Sequence, residues 1–247
     1  MDTNKNSYTV IYATVLVVLV AVVLALASYL LKDRQQRNVE IETKQMILKS
    51  VKLGLDANTV PDKASYIEEQ YAKYITDSTI ATEAGDHKLF ICKLDTGERL
   101  YIVPVHGTGL WGPIWGYVAL KGDFNTIYGT TYDHKSETPG LGAEINTVEF
   151  SKQFEGKQIF KDGQFVSIVV VKGGANPEST NEVDAISGGT ITSKALEAML
   201  QSSINEYLAF FKAKLEEVSQ QAAQAPADST ISATADSTAS AVQTKIN

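Results

Sequence analysis

The segment from Asp184 to Ser193 has the residue types and spacing of an anion-binding turn. It reads Asp-Ala-Ile-Ser-Gly-Gly-Thr-Ile-Thr-Ser, follows the strand-like run Phe165–Val171 and opens a long stretch with helical periodicity. Backbone N–H groups at a helix N-terminus, together with the helix dipole, attract anions such as phosphate. Gly188 and Gly189 would let the backbone approach such a ligand closely. The residues alone therefore predict a phosphate-binding turn.

Two further glycine-rich segments lie upstream of this turn. His106–Gly116 reads His-Gly-Thr-Gly-Leu-Trp-Gly-Pro-Ile-Trp-Gly, and Glu137–Glu144 reads Glu-Thr-Pro-Gly-Leu-Gly-Ala-Glu. Each alone is typical of a tight turn between strands. Because three such segments occur in one chain, we expect them to share a ligand site.

Composition excludes several classes of function. A chain of 247 residues is long enough for one domain with a sizeable core plus appendages. The net charge of −7 argues against a nucleic-acid partner. The single cysteine, Cys92, excludes an internal disulfide and an iron–sulfur cluster held by this chain's thiolates alone, and we expect it to be a buried apolar residue. No metal site is predicted, because the three histidines lack ligand spacing: His87, His106 and His134.

The N-terminal region contains a membrane-spanning pattern. Val10–Leu31 comprises 22 residues without a charge, and at about 1.5 Å per residue a helix of this length crosses a bilayer core. A cleaved signal peptide is the alternative, because Ala25-Leu-Ala27 fits the small-x-small rule. The apolar run continues past that point, so we expect a retained anchor. Lys32, Arg34 and Arg37 follow the span, and the positive-inside rule would place the large domain in the cytoplasm.

The rest of the chain predicts an α+β domain. A hairpin is expected from Lys88–Asp95 and Arg99–Val105, joined by a Thr-Gly-Glu turn. Trp115–Leu120 and Phe165–Val171 are predicted strands, and a short helix is expected around Tyr66–Tyr74. Ile191–Val218 is predicted as one long helix packed on the core, because its apolar residues recur at steps of three or four: Leu196, Met199, Leu200, Ile204, Leu208, Phe211 and Leu215.

These patterns divide the chain into five parts. Residues 1–9 form a short N-terminal segment, residues 10–31 the transmembrane helix, and residues 32–60 a stalk helix with a linker that ends the helix near Gly54. Residues 61–218 form the folded domain, and residues 219–247 a low-complexity tail predicted to be disordered.

The turn also resembles a covalent-flavin motif. Asp184, Ser187, Gly188, Gly189 and Thr190 are similar to Asp-x-x-Ser/Thr-Gly-Ala-Thr, at which a flavin transferase attaches FMN to threonine through a phosphoester. The family is that of the FMN-binding subunits of membrane redox pumps, namely the NqrC proteins of sodium-translocating NADH:quinone oxidoreductases and their relatives in Rnf complexes. Glycine replaces the family's usual alanine at position 189, a small change that we expect to be sterically permissive. The other two glycine-rich segments also resemble segments of NqrC proteins.

The resemblance implies a single N-terminal transmembrane helix followed by a mixed α/β FMN-binding domain, built on an antiparallel sheet with a long C-terminal helix. It implies FMN attached to Thr190, with the Glu137–Gly142 loop against the isoalloxazine ring. Asp184 is expected to serve transferase recognition or the turn, and Ser187 to cap the helix or hold the phosphate. Thr192 and Ser193 are expected N-caps, and Lys172 either neutralises the phosphate or is a solvated strand-end lysine. The expected cofactor-binding residues are Trp111, Glu137, Thr138, Gly140, Leu141, Gly142, Lys172, Asp184, Ser187, Gly188, Gly189 and Thr192.

The implied function is electron relay without catalytic residues of its own. In the family, electrons flow from NADH to ubiquinone and drive sodium export, and the partners are flavin- and iron–sulfur-carrying subunits, a flavin transferase and the membrane. The family places the flavin domain on the periplasmic side of the bacterial inner membrane, opposite to the charge bias. No Gly-x-Gly-x-x-Gly nicotinamide motif follows a strand here, so NADH chemistry would belong to partners. An Rnf-type protein and a cofactor-free, membrane-anchored binding or assembly module are the alternatives.

Overall fold

One uninterrupted helix carries both the predicted span and the predicted stalk. The computed structural model describes residues 6–82 and 85–224, and its first element is α1 (Asn6–Ser50). No Gly or Pro interrupts this sequence, so nothing in it breaks the helix at the predicted boundary after residue 31. Within the described ranges, α1 is the one helix long and apolar enough to cross a membrane, and its apolar window is not buried against the protein. Residues 1–5 and 225–247 of the predicted terminal segments lie outside the described residues.

The last turns of α1 belong to the folded domain. Ile41, Ile47 and Leu48 are buried there, beside α2 (Lys63–Tyr74). The helix ends at Ser50, earlier than the predicted Gly54, because Lys52 adopts a left-handed conformation (φ 61°). The N–H of Leu53 then bonds to Leu48 O and that of Lys52 to Lys49 O, the pattern of a Schellman motif.

The centre of the domain is a five-stranded antiparallel meander in the order β1-β2-β3-β4-β5. The predicted hairpin is confirmed as β2 and β3, with Lys93 opposite Arg99, and the predicted strand at Trp115–Leu120 is confirmed within β4. The sequence patterns missed β1, which is mostly polar, and β5, which contains Gly129. The strand bounds are β1 (Ile75–Thr82), β2 (Gly85–Lys93), β3 (Arg99–Thr108), β4 (Pro113–Leu120) and β5 (Ile127–His134).

The two faces of this sheet carry separate cores. Because side chains alternate along a strand, Ile102 packs on the side of α1 and α2, whereas its neighbour Val103 packs on the opposite side with α4 (Thr190–Asn205). Cys92 is buried in the first core, as predicted, and burial raises the pKa of its thiol to about 11. The sheet therefore separates the membrane helix from the helix that opens at the glycine turn.

One predicted strand and one predicted helix are each interrupted in the structure. Phe165–Val171 is not one strand: Ser167 has a positive φ of 55° between β7, which pairs with β6, and β8, which pairs in parallel with β9. Ile191–Val218 is not one helix, because the chain turns at Glu206 and Tyr207, where the buried Tyr207 hydroxyl donates to Lys88 O at 2.8 Å. The second helix, α5, also extends into the predicted tail. The remaining elements are a 3-10 helix (Gly142–Asn146), α3 (Val148–Lys152), β6 (Phe160–Lys161), β7 (Gln164–Phe165), β8 (Val169–Val171), β9 (Glu182–Asp184), α4 (Thr190–Asn205) and α5 (Leu208–Gln224).

The docking of α1 on the sheet predicts a stability effect. Leu48 is 0% exposed, so Leu48→Ala should lower the free energy of unfolding by about 2–5 kcal/mol through lost burial and a cavity. Val39 lies on the same helix but is 62% exposed, and Val39→Ala should change it by no more than about 0.5 kcal/mol. Denaturant unfolding of the detergent-solubilised protein measures both. Equal losses of unfolding free energy in the two variants would mean that the end of α1 is not part of the folded domain.

Candidate functional site

The three glycine-rich segments meet at one cleft. It has a volume of about 410 Å³, within the range of about 300–1,000 Å³ usual for small-molecule sites. The β3–β4 turn, the loop after β5 and the turn before α4 each contribute to its walls. The lining residues are Leu110, Trp111, Glu137, Thr138, Leu141, Gly142, Gly188, Gly189, Thr190, Ile191 and Thr192.

Glu137 joins the three segments at the base of the cleft. Its side chain is 4% exposed. Oε1 accepts the backbone N–H of Trp111 at 2.9 Å, and Oε2 accepts the hydroxyl of Thr192 at 2.6 Å. Its own N–H donates to His134 Nδ1 at 3.2 Å. One side chain therefore holds the β3–β4 turn and the first turn of α4 against the loop after β5.

Two glycines make room for this carboxylate. A Cβ added at Gly109 would lie 2.5 Å from Glu137 Oε1, and one added at Gly142 would overlap both Glu137 Oε2 and Thr192 Oγ1. The turn that carries Gly109 is closed by its N–H donating to Gly112 O at 2.8 Å. Glycine at these positions is thus required by the buried carboxylate.

The first turn of α4 presents free backbone donors to the cleft. Gly189 is the N-cap and makes no side-chain capping bond. The first intrahelical bond runs from Ser193 N to Gly189 O at 2.9 Å, so the N–H groups of Thr190, Ile191 and Thr192 precede it and remain available to a ligand. Together with the helix dipole they favour an anion at this end of α4. This geometry is compatible with a phosphate-binding turn, which stays a prediction from the residues.

The hydroxyls of this segment differ in access. Thr190 is exposed and lines the cleft. Thr192 is 1% exposed and donates to Glu137, and Ser193 is equally buried and accepts the Ile186 N–H at 3.0 Å. Ser187 is exposed but does not line the cleft. The expectation that Thr192 and Ser193 cap the helix is therefore wrong, because both hydroxyls have other partners and Gly189 takes the cap position.

Four predicted site residues do not line the cleft: Lys172, Asp184, Ser187 and Gly140. The Asp184 carboxylate accepts the Ala175 N–H at 2.6 Å and so stabilises the β8–β9 connection. Lys172 is an exposed residue directly after β8. Gly140 has a φ of 75° and donates its N–H to Glu144 Oε1 at 3.0 Å, so it shapes the loop.

Gly189 is closely surrounded by its neighbours in this chain. A Cβ added there would lie 2.9 Å from Ile186 Cγ2 and 3.1 Å from Ile186 Cβ. Because Ile186 is branched at Cβ, it cannot rotate away from both contacts. Glycine at this position is therefore compatible with the packing, whereas alanine would require Ile186 to shift.

Two apolar lining residues were missed by sequence reasoning. Leu110 and Ile191 are exposed at the edge of the cleft. Leu110 lies inside a glycine turn, and Ile191 points away from the buried stripe of α4. Each could have been found as an apolar residue with no place in the core pattern. Together with Trp111 and Leu141, both also exposed, they give the cleft apolar sides.

Glu137 is the one charged side chain among the residues that line this cleft. Over residues 6–82 and 85–224, no group of three or more His, Cys, Asp or Glu side chains is placed to hold a metal ion. The site thus combines a buried carboxylate, backbone donors and apolar sides. It suits a ligand that carries both an anionic group and an apolar part.

The packing around Glu137 predicts the effect of filling Gly142. Gly142→Ala should lower the free energy of unfolding by about 1–3 kcal/mol, because the added methyl group would separate Glu137 from Thr192. Gly122 has no heavy atom near its added Cβ, so Gly122→Ala should change stability by no more than about 0.5 kcal/mol. Denaturant unfolding measures both, and an unaffected Gly142→Ala variant would contradict the close packing.

Comparison with known proteins matches this region to a flavin family. The pattern of the FMN-binding domain family matches residues 109–205, which include every lining residue of the cleft. The NqrC protein of the Na(+)-translocating NADH-quinone reductase of Vibrio anguillarum is 30% identical over 228 residues, covering 79% of this chain and 88% of that protein. Its counterpart in Haemophilus ducreyi is 27% identical, covering 85% and 96%.

Solved structures of this family have the same fold. NqrC from Parabacteroides distasonis matches with a TM-score of 0.64 and 38% identity, covering 73% of this chain and 96% of that one. NqrC from Shewanella oneidensis matches with a TM-score of 0.62 and 25% identity, covering 74% and 99%. The α+β fold expected from the sequence is that of these structures. This chain therefore belongs to the NqrC family of Na(+)-translocating NADH-quinone reductase subunits.

Proposed function

We propose that this protein is the FMN-carrying electron-transfer subunit of a membrane-bound Na(+)-translocating NADH-quinone reductase, and that FMN is attached to Thr190 through a phosphoester. The observation that carries the proposal is the position of Thr190. It is the hydroxyl of the glycine turn that is both exposed and within the cleft, at the N-terminus of α4. Membership of the NqrC family and the FMN-binding domain match support the assignment as an FMN-carrying electron-transfer subunit.

The residues present fit FMN. A phosphate on Thr190 Oγ1 would meet the free N–H groups of the first turn of α4. A Cβ added at Gly188 would lie 2.5 Å from Leu141 Cδ2, and glycine tolerates the φ of 75° found there. The apolar sides formed by Leu110, Trp111, Leu141 and Ile191 suit a planar aromatic ring system.

Each part of the cleft then has a defined task. Bound FMN supplies the electron-transfer chemistry, and the chain binds and orients it. Attachment through the phosphate leaves the ring free, so the protein controls its environment through hydrogen bonds and local charge. Trp111 is 65% exposed at the edge, and an open cleft of this kind lets a neighbouring carrier approach closely.

The wider reaction is assigned to partner subunits. The span Val10–Leu31 has no charged residue, and a single apolar helix cannot form a sodium path. NADH oxidation and quinone reduction would take place on flavin- and iron–sulfur-carrying subunits. The Vibrio and Haemophilus relatives both belong to NADH-quinone reductases, which favours this assignment over an Rnf-type protein. A cofactor-free assembly module would leave the free donors and the apolar cleft without a role.

Maturation requires a flavin transferase that can reach Thr190. The turn is exposed on either side of Gly189, at Gly188 and Thr190, which gives such an enzyme access. We assign Asp184 a role in the shape of the segment that the transferase recognises, because its carboxylate is engaged by the Ala175 N–H outside the cleft.

Two variants test the attachment site. Thr190→Ala should abolish flavin fluorescence on a denaturing gel when the protein is made with an active flavin transferase, because the accepting hydroxyl is gone. Thr192→Val is the matched control, since its hydroxyl is buried against Glu137, and this variant should stay fluorescent. Fluorescence retained in Thr190→Ala but lost in Thr192→Val would move the attachment to Thr192.

The single span and family membership support a membrane-anchored protein, and we propose that its folded domain lies on the periplasmic side of the bacterial inner membrane. The family resemblance supports this side. The basic residues Lys32, Arg34 and Arg37 after the span favour the opposite one. For a single span with few flanking charges on either side, this bias is small, and partner subunits can outweigh it.

Cysteine labelling tests the orientation. The native Cys92 is fully buried and burial raises the pKa of its thiol, so the parent protein should not react with a membrane-impermeant maleimide. Lys121 is exposed at the end of β4, and Lys121→Cys should be labelled in intact spheroplasts. Labelling that appears only after the membrane is permeabilised would place the domain in the cytoplasm.

A further inference from the structure

The buried carboxylate of Glu137 has no cationic partner. No Lys, Arg or His among residues 6–82 and 85–224 forms an ion pair with it. Both of its oxygens accept hydrogen bonds, from the Trp111 N–H and the Thr192 hydroxyl, so each oxygen of the carboxylate has a donor. Burying an unpaired charge is costly, so its presence here calls for a reason beyond packing.

The first turn of α4 compensates part of this charge. Thr192 lies two residues after Thr190, so the carboxylate and the attachment hydroxyl are at the same helix end. The positive end of the helix dipole stabilises an anion there. An amide of the same shape would bridge the same two groups without the cost of charge. The choice of a carboxylate therefore places a fixed negative charge beside the cleft.

We propose that Glu137 is a positioning residue whose buried negative charge also lowers the reduction potential of FMN bound in this cleft. The inference rests on the proposed function, because it requires FMN to occupy the cleft. Reduction adds electrons, and with them negative charge, to the cofactor. A fixed negative charge beside it therefore opposes reduction. A unit charge at about 10 Å with an effective dielectric constant of about 20 changes an equilibrium constant on the order of tenfold.

Glu137→Gln separates the charge from the geometry. The glutamine amide oxygen can accept the Trp111 N–H, and its NH₂ group can donate to Thr192 Oγ1, which then acts as an acceptor. The contacts stay and the charge is removed. Redox titration of the flavinylated protein should show a positive shift in the FMN potential, on the order of tenfold in the reduction equilibrium, or about 59 mV for a one-electron step.

Thr192→Val is the converse test, because it keeps the charge of Glu137 and removes a hydrogen bond to it. This variant removes one donor from the carboxylate and leaves its charge less compensated. The FMN potential should stay unchanged or become more negative. A purely structural role of the Glu137–Thr192 contact predicts instead that Glu137→Gln, which keeps the contact, leaves the potential unchanged, whereas Thr192→Val, which breaks the contact, shifts it. If Glu137→Gln fails to fold, a positive shift in Thr192→Val would by itself overturn the proposal.

Glu144→Gln is the matched control for charge. Glu144 lies in the 3-10 helix that follows this loop, is only partly buried and accepts the Gly140 N–H at 3.0 Å. Solvent screens its charge, so its removal should leave the potential within about threefold in the reduction equilibrium. An equal positive shift in Glu144→Gln would overturn the specific role of Glu137.

Flavin content distinguishes this inference from the proposed function. If the parent protein, made with an active transferase, carries FMN but Glu137→Gln leaves the potential unchanged, the inference alone fails. If the parent protein carries no FMN, the proposed function fails and the inference fails with it. A positive shift in Glu137→Gln with none in Thr192→Val and Glu144→Gln would support both.

Discussion

The contact on which the site depends is a carboxylate buried between two loops and a helix end. Glu137 bonds to the Trp111 N–H on one side and to the Thr192 hydroxyl on the other. Gly109 and Gly142 are glycines because any larger residue would displace it. With Thr192 held inward, Thr190 is the hydroxyl of this turn that faces the cleft, and it is the attachment site that we propose. A cofactor site whose segments are far apart in sequence is thus organised by one side chain.

The fold connects this site to the membrane through the sheet. The end of α1 packs on one face of the meander, and α4, which opens at the cleft, packs on the other. Because α1 is continuous from Asn6 to Ser50, no flexible linker separates the span from the domain. One continuous helix and one sheet therefore connect the predicted span to the cleft.

Sequence patterns predicted the parts of the fold that depend on periodicity and turn chemistry. The β2–β3 hairpin, β4 and the short helix α2 follow from alternating or helical apolar patterns, and the glycine turns indicated the cleft. These sequence patterns failed where contacts between residues distant in sequence determine the local structure. The buried Tyr207 breaks the long helix although the apolar period continues across it, and Ser167 interrupts a valine-rich strand. The partners of Thr192 and the crowding of Gly189 by Ile186 depend on contacts that spacing does not reveal.

The most direct measurement is peptide mass spectrometry of the protein purified from native membranes. Cleavage after Lys172 and Lys194 gives a peptide that carries every hydroxyl of the glycine turn. Attachment of FMN at Thr190 predicts a mass gain equal to FMN less water, located on Thr190 by fragmentation. An unmodified peptide from cells with an active flavin transferase, or a gain located on another residue, would contradict it.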